Sequence, residues 1–424
     1  MYGSEVTWRG QKSMSRTFQK NINRMARATL GVLPSTPVAF LQAEGGSIPA
    51  EARLDGRQEA FAIRLASKEE PADGLLRTAT GLGSRLGGMI DGGGKGVVRR
   101  IEQVGCGRGL SFPGEIVIPA EYRGKRETKE AIEAAVARAN DMETDTGTIW
   151  TDGSKLEDGR VGVGMAWFED PEDGTNDTNE KTEIARRDYR TAGQRREGRS
   201  ETYLGGLCTI RRNGGRRWRS DGFRLGGGQE AYDAEVAAIV YGLQLHGRDD
   251  RGRNYTIFTD SVAAMKRARG DAPGPGQEMA VRAIEIAERL VRQGNTVTIR
   301  WTPAHKGVEG NERADQVAKE AATFPPLRGT RGRFSLAFLK RRITDRTTTR
   351  WITDTTTKTK EKGRGGGAFE APGRMARPRI RPLLRTTRKG VASRYFQLLS
   401  GHAMIAPFLR DKWGWTDTDR CWWC

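Results

Sequence analysis

Four carboxylates and one histidine stand where a strand or helix pattern would hold them in fixed places: Asp152, Glu235, Asp260, Asp315 and His305. Asp152 ends the short strand pattern Thr148 to Thr151, and Asp260 ends the alternating run Tyr-Thr-Ile-Phe-Thr at 255 to 259. If those strands are neighbours in one sheet, both carboxylates emerge at the same edge. Taken singly, either residue reads more simply as a turn former or a helix cap. Glu235 is harder to set aside. On a helix its neighbours three and four positions away are Ala231, Tyr232, Ala238 and Ile239, so no Lys or Arg faces it. A carboxylate turned toward a core without a partner is costly unless a cation compensates it. Asp315 has Lys319 one turn on and could form an ordinary surface ion pair. His305 lies in a loop with Gly307 and Gly310, ten residues before Asp315, where a flexible segment could carry it over a site that Asp315 helps to build. Oxygen donors without a Cys or His cluster suit a hard divalent ion, Mg²⁺ first. Two such ions, typically about 3.5 to 4 Å apart, can activate a water and stabilise the leaving oxygen of a phosphodiester.

The elements that must position these groups follow from hydrophobic period. Strands are expected at Thr148 to Thr151, Val161 to Phe168, somewhere between Tyr203 and Phe223, Tyr255 to Thr259 and Thr296 to Trp301. Helices are expected at 127–139, 231–245, near 261–268, at 276–292 and at 309–322. Three strands in a meander followed by alternation of helix and strand imply an α/β domain, a mixed five-stranded sheet flanked by helices, over 126–324. The polar stretch 169–200 reads as an insertion without a core of its own. Around this domain the pattern weakens. Residues 1–65 show helical apolar spacing (Met14, Phe18, Ile22, Met25, Leu30), and 66–125 are Gly- and charge-rich and read as linker. Residues 325–390 read as a basic, low-complexity and largely disordered linker, and 391–424 as a small helical tail ending in Cys421-Trp-Trp-Cys424.

The formal net charge of +19 points to a polyanionic partner, nucleic acid above all. Residues 328 to 390 hold 19 Lys or Arg against 4 Asp or Glu, which concentrates most of that charge in the tail. Nucleic acid is therefore expected to be held through this basic tail. The four cysteines make no disulfide framework, the opening residues lack an apolar leader, and no apolar run reaches the length of a membrane span. The expectation is an intracellular protein, nuclear or cytoplasmic, neither secreted nor membrane-bound. The oligomeric state is left open.

Four motifs stand in a meaningful order: Thr-Asp-Gly-Ser at 151–154, Tyr-Asp-Ala-Glu at 232–235, Phe-Thr-Asp-Ser at 258–261 and His-Lys-Gly-Val-Glu-Gly-Asn-Glu-Arg-Ala-Asp at 305–315. They resemble the four motifs of ribonuclease H (type 1-like), over about 175 residues from Gly147 to Ala322. That resemblance implies a ribonuclease H-like fold. It further implies that Asp152, Glu235, Asp260 and Asp315 bind two Mg²⁺, with Mn²⁺ as the substitute, and that His305 assists proton transfer or product departure. The implied reaction is cleavage of the RNA strand of an RNA/DNA hybrid, leaving 3′-hydroxyl and 5′-phosphate ends. Discrimination of RNA from DNA would rest on 2′-hydroxyl contacts, with Gly153, Ser154 and the Glu235 carboxylate as the candidates.

The wording Arg-Met-Ala-Arg-Ala-Thr-Leu-Gly-Val-Leu-Pro-Ser-Thr-Pro at 24–37, with Ala43-Glu-Gly-Gly46 and Phe61-Ala-Ile-Arg-Leu65, also resembles the segment after the polymerase in non-LTR (LINE-like) retrotransposon polyproteins. No polymerase is expected within the chain, because its single Asp-Asp, Asp249-Asp250, follows Gly-Arg in a polar stretch. Cys421 and Cys424 have the spacing of half a zinc knuckle, and a closed zinc site needs four ligands, so the site reads as incomplete. The rival to an active enzyme is a catalytically inactive, nucleic-acid-binding remnant of a retroelement.

Overall fold

The structure is a computed structural model. It describes residues 7–68, 101–104, 109–118, 129–143, 145, 147–169, 183–186, 207–213, 216–246, 252–270, 273–327, 333–361, 387–418 and 420. Cys106, Asp249-Asp250, Cys421 and Cys424 lie outside them, as do most of the 66–125 linker and of the 169–200 insertion. The chain forms two compact units. Described residues of the first fall in Met1–Ala62 and Lys340–Cys424, and those of the second in Ile63–Asp73 and Gly93–Leu339.

The second unit is built on one sheet. Its strands are β1 (Glu115–Val117), β2 (Thr148–Lys155), β3 (Val161–Glu169), β4 (Glu183–Arg186), β5 (Leu207–Asn213), β6 (Arg216–Arg224), β7 (Asn254–Thr259) and β8 (Thr296–Trp301), in the order β1-β8-β7-β2-β3-β6-β5-β4. The expected five-stranded mixed sheet is the centre of this one, β8-β7-β2-β3-β6. Pairing is parallel from β1 to β2 and antiparallel from β2 onward. Three additions correct the expectation of five. The third strand is a pair, β5 and β6, and the glycines at 214 and 215 lie between them. β4 comes from the stretch read as an insertion. β1 comes from the stretch read as linker, where Ile116 and Ile118 pack on the core of the sheet.

Side chains alternate across the sheet, as strand geometry requires. On one face Ile149, Val163, Met165, Ile257, Val297 and Ile299 pack beneath α5 (Ala231–His246), α6 (Val262–Ala268) and α7 (Gln277–Arg292). On the other face Trp150, Phe168, Trp218 and Phe258 form an aromatic layer with Ala314 of α8 (Glu309–Ala321) and Ala139 of α4 (Lys129–Asp141). Trp150 stacks on Phe258 at 5.7 Å and meets Trp218 edge-on at 5.4 Å. The sheet and its two helical layers are consistent with a ribonuclease H-like fold.

The first unit gathers α1 (Lys12–Leu30), α2 (Val38–Glu44), most of α3 (Ala50–Ala66), most of α9 (Leu336–Glu361), α10 (Lys389–Leu399) and α11 (Ala406–Trp413). Leu30, Val32, Phe40, Leu41 and Phe396 share one core, so the ends of the chain that the sequence separates pack together. Residues 336–361, expected as part of a disordered basic linker, are helical. Leu339 and Trp351 are buried, and the Trp351 indole donates to the Gln42 carbonyl at 2.8 Å. The apolar residues fall in two groups, 336–343 and 351–352, separated by a polar run, and such a pattern is too broken for a helix to be read from period alone. Among the described residues, no helix is long and apolar enough to cross a membrane.

Candidate active site

The register of the sheet places the first two carboxylates. The last parallel pair between β2 and β7 is Thr151 with Thr259, and Asp152 and Asp260 are the next residues on each strand. β2 does not stop at Asp152, as expected. It runs on to Lys155 because β3 continues to pair with it, Asp152 opposite Gly164. Nor is Asp260 the cap of the following helix. Ser261 caps α6, its hydroxyl accepting from the Ala264 N–H at 3.3 Å, which leaves the Asp260 carboxylate for the site.

Glu235 arrives from the opposite face of the sheet, in the first turn and a half of α5. That helix starts with a reciprocal cap: the Glu230 N–H donates to Asp233 Oδ2 at 2.7 Å, and the Asp233 N–H donates to the Glu230 carbonyl at 2.9 Å. The Ser335 hydroxyl also donates to Asp233. Gly153 lets α5 come close enough. A Cβ there would lie 2.4 Å from the Glu235 nitrogen and 2.8 Å from the Ala234 Cβ.

The three groups meet. Carboxylate oxygens of Asp152, Glu235 and Asp260 lie within 4.8 Å of one another. Asp152 is buried, and Glu235 Oε2 is fully enclosed without a hydrogen-bond partner. The electrostatics follow from that crowding. Burial pushes the Asp152 carboxyl up to about 8, the Asp260 charge adds to the rise, and the Gly153 N–H, 2.8 Å from Oδ1, opposes it. Burial, then the charges of Asp152 and Asp260, push Glu235 well above the usual carboxylate range. Asp260 is also raised by burial, against the opposing effects of His305 and of a hydrogen bond from Asn311.

Asp315 is not one of the three groups so clustered, but its carboxyl lies in hydrogen-bond reach of Asp152. It is on α8, which packs so closely on β3 that a Cβ on Gly164 would lie 2.2 Å from the Ala314 carbonyl oxygen. Its Oδ2 accepts from Lys319 Nζ at 2.6 Å, the i,i+4 pair open from the sequence, and its charge still raises the carboxyls of Asp152 and Asp260. His305 is exposed in the loop before α8, with a left-handed backbone (φ 53°), and its charge acts on Asp260. Gly153 and Ser154 continue β2 past Asp152 and are half-buried. Sequence reasoning passed over Asn311, a buried residue one helical turn before Asp315, whose amide holds Asp260. Its spacing of four from Asp315 was the available signal.

Residues 198–323 match the family model for RNase H. The matched segment contains Glu235, Asp260, His305, Asn311 and Asp315. It begins after Asp152, so the sheet register is what joins Asp152 to the RNase H segment. Among solved structures the chain is similar to RNase H1 from the halophilic archaeon Halobacterium salinarum NRC-1, at 18% identity, over 41% of this chain and 95% of that chain, with a TM-score of 0.22. The ribonuclease H-like reading of the fold rests on the strand order and on the carboxylate cluster.

Proposed function

We propose that the second unit is a divalent-cation-dependent endonuclease that hydrolyses the RNA strand of RNA/DNA hybrids. The observation that carries this is the cluster of Asp152, Glu235 and Asp260, with one buried Glu235 oxygen left without a protein partner. Three crowded carboxylates with raised pKa values repel one another when ionised, and hard oxygen donors without Cys or His fit Mg²⁺ or Mn²⁺. Asp152, Glu235 and Asp260 would hold the metal, two Mg²⁺ in this reading, with Asp315 contributing from α8. Metal held there would supply an activated water and charge stabilisation for the departing oxygen of the phosphodiester.

The chain's own residues have separate tasks in this reading. Asn311 orients the Asp260 carboxylate. His305, exposed on its loop beside Asp260, is placed to pass a proton or to release product. Gly153 and Ser154, on the strand beyond Asp152, are the candidates for contact with the 2′-hydroxyl that separates RNA from DNA. The match of 198–323 to RNase H supports the hybrid as substrate. The motif wording at 24–65 supports an origin in a LINE-like retrotransposon polyprotein.

The test is a substrate panel for the full chain: labelled RNA/DNA hybrid, duplex DNA and duplex RNA, each with Mg²⁺ and with EDTA. Loss of only the hybrid's RNA strand, and only with Mg²⁺, is the expected result. A folded protein that cuts none of the three, or cuts duplex DNA, overturns the assignment.

A further inference from the structure

The sequence assigns nucleic-acid binding to the basic tail, but several arginines in the described part of that tail are paired internally. On α9, Arg341 pairs with Asp345 at 3.6 Å, Arg346 with Glu59 at 3.0 Å, and Arg350 with Asp55 and Glu51. The opposite arrangement occurs on α1. Its 19 residues contain five cations and no acid. Four of those cations, Lys12, Arg16, Lys20 and Arg24, are exposed and follow one another at i,i+4 spacing. At about 1.5 Å of rise per residue they form a row about 18 Å long with a charge roughly every 6 Å. Among the described residues none of the four has an acidic partner.

Like charges at i,i+4 cost a helix stability, so the row runs against the local preference of the helix. The helix cannot turn it away from solvent, because Ser15, Asn23 and Leu30 are buried along another face. Arg27, the fifth cation, is spent internally on the Thr36 carbonyl at 3.0 Å. Exposed Ser13 and Asn21 lie beside the row and offer a hydroxyl and an amide donor. A membrane surface would want an apolar face next to the charges. Here the apolar face of α1 is used in packing, and of its large hydrophobic side chains only Met25 is strongly exposed. We propose that α1 is a docking surface for the phosphate backbone of double-stranded nucleic acid, read without regard to sequence.

The test compares the full chain with the variant Lys12→Gln/Arg16→Gln/Lys20→Gln/Arg24→Gln, using fluorescence anisotropy with two duplex DNAs of unrelated sequence. Measurements are made in EDTA, so that no divalent ion bridges the carboxylate site to the probe. Because uncut duplex DNA is the probe, the result does not depend on the proposed hydrolysis. The expected outcome is a loss of affinity on the order of tenfold or more at about 0.1 M salt, equal for both sequences. The slope of log affinity against log salt should fall by about three to four, close to one per cation removed. Gln keeps helix propensity, and an unchanged circular dichroism spectrum checks the fold. If the fourfold variant is misfolded, Arg16→Gln/Arg24→Gln should lower the slope by about two. Unchanged affinity and slope in either folded variant overturn the proposal. So does a loss seen only with phosphatidylserine vesicles and not with duplex.

Discussion

Asp152 and Asp260 each follow one member of the last parallel pair, Thr151 and Thr259, that joins β2 to β7. The hydrogen-bond register therefore sets the separation of two carboxylates that lie 108 residues apart in sequence. Glu235 completes the cluster from a helix on the other face, held there by the close approach at Gly153.

Gly153→Ala should damage the site without touching a carboxylate. The added methyl meets α5 backbone at 2.4 Å, and backbone yields less readily than a side-chain tip. Overpacking of this kind costs on the order of 1–3 kcal/mol, measurable by denaturant unfolding, and should lower hybrid cleavage more than hybrid binding. A variant as stable and active as the parent would show that the contact is not tight.

Glu235→Gln should separate stability from activity. At pH 8 without divalent cations the unfolded Glu235 is ionised, whereas burial and the neighbouring carboxylates disfavour that form in the fold; Gln removes this cost, so the melting temperature should rise by a few degrees. Cleavage should fall more than about 100-fold. The parent should gain more thermal stability from added Mg²⁺ than the variant does. A Glu235→Gln variant that melts below the parent when both are in EDTA contradicts the electrostatic reading of the cluster.

How much of this was legible in the sequence depends on which force placed each residue. Asp152, Glu235 and Asp260 were readable because strand alternation and helical period locate them, and a partnerless Glu235 already signals a missing cation. Asp315 was readable as a position, with Lys319 one turn on as its partner, but its distance from the other carboxylates depends on how α8 sits over β3. Asn311 was hidden because a buried amide carries no charge pattern. β1 and α9 were missed for another reason. Three residues pairing with β8, or two deep anchors on a polar helix, are fixed by tertiary contact and leave little trace in hydrophobic period.

Asp315→Asn should cost less than Asp260→Asn. Asp315 already has a cationic partner and lies outside the group of oxygens within 4.8 Å. Cleavage should fall about tenfold for Asp315→Asn, against more than about 100-fold for Asp260→Asn, in single-turnover assays at fixed Mg²⁺. Equal losses would place all four carboxylates on the metal.

Glu102 makes stability depend on pH. Burial pushes its carboxyl from 4.5 to about 7, against the opposing Leu336 N–H bond. Below pH 4.5 folded and unfolded forms are both protonated, and its contribution is fully present. As pH rises toward 7 the unfolded form ionises first, so stability falls by an amount on the order of 3 kcal/mol and then levels off. Glu102→Gln keeps an acceptor for Leu336 and should flatten this decline in chemical denaturation curves between pH 4.5 and 8. Identical pH slopes in the two proteins would contradict it.

The most direct test of the central claim is single-turnover cleavage of a labelled RNA/DNA hybrid by the full chain and by Asp152→Asn, across a Mg²⁺ titration. Asp152 lies outside the segment that matches RNase H and enters the site through the sheet register alone. The account predicts Mg²⁺-dependent cleavage of the RNA strand by the parent and a loss of more than about 100-fold in a folded variant that still binds hybrid. Cleavage by Asp152→Asn at the parent's rate and Mg²⁺ dependence would contradict it.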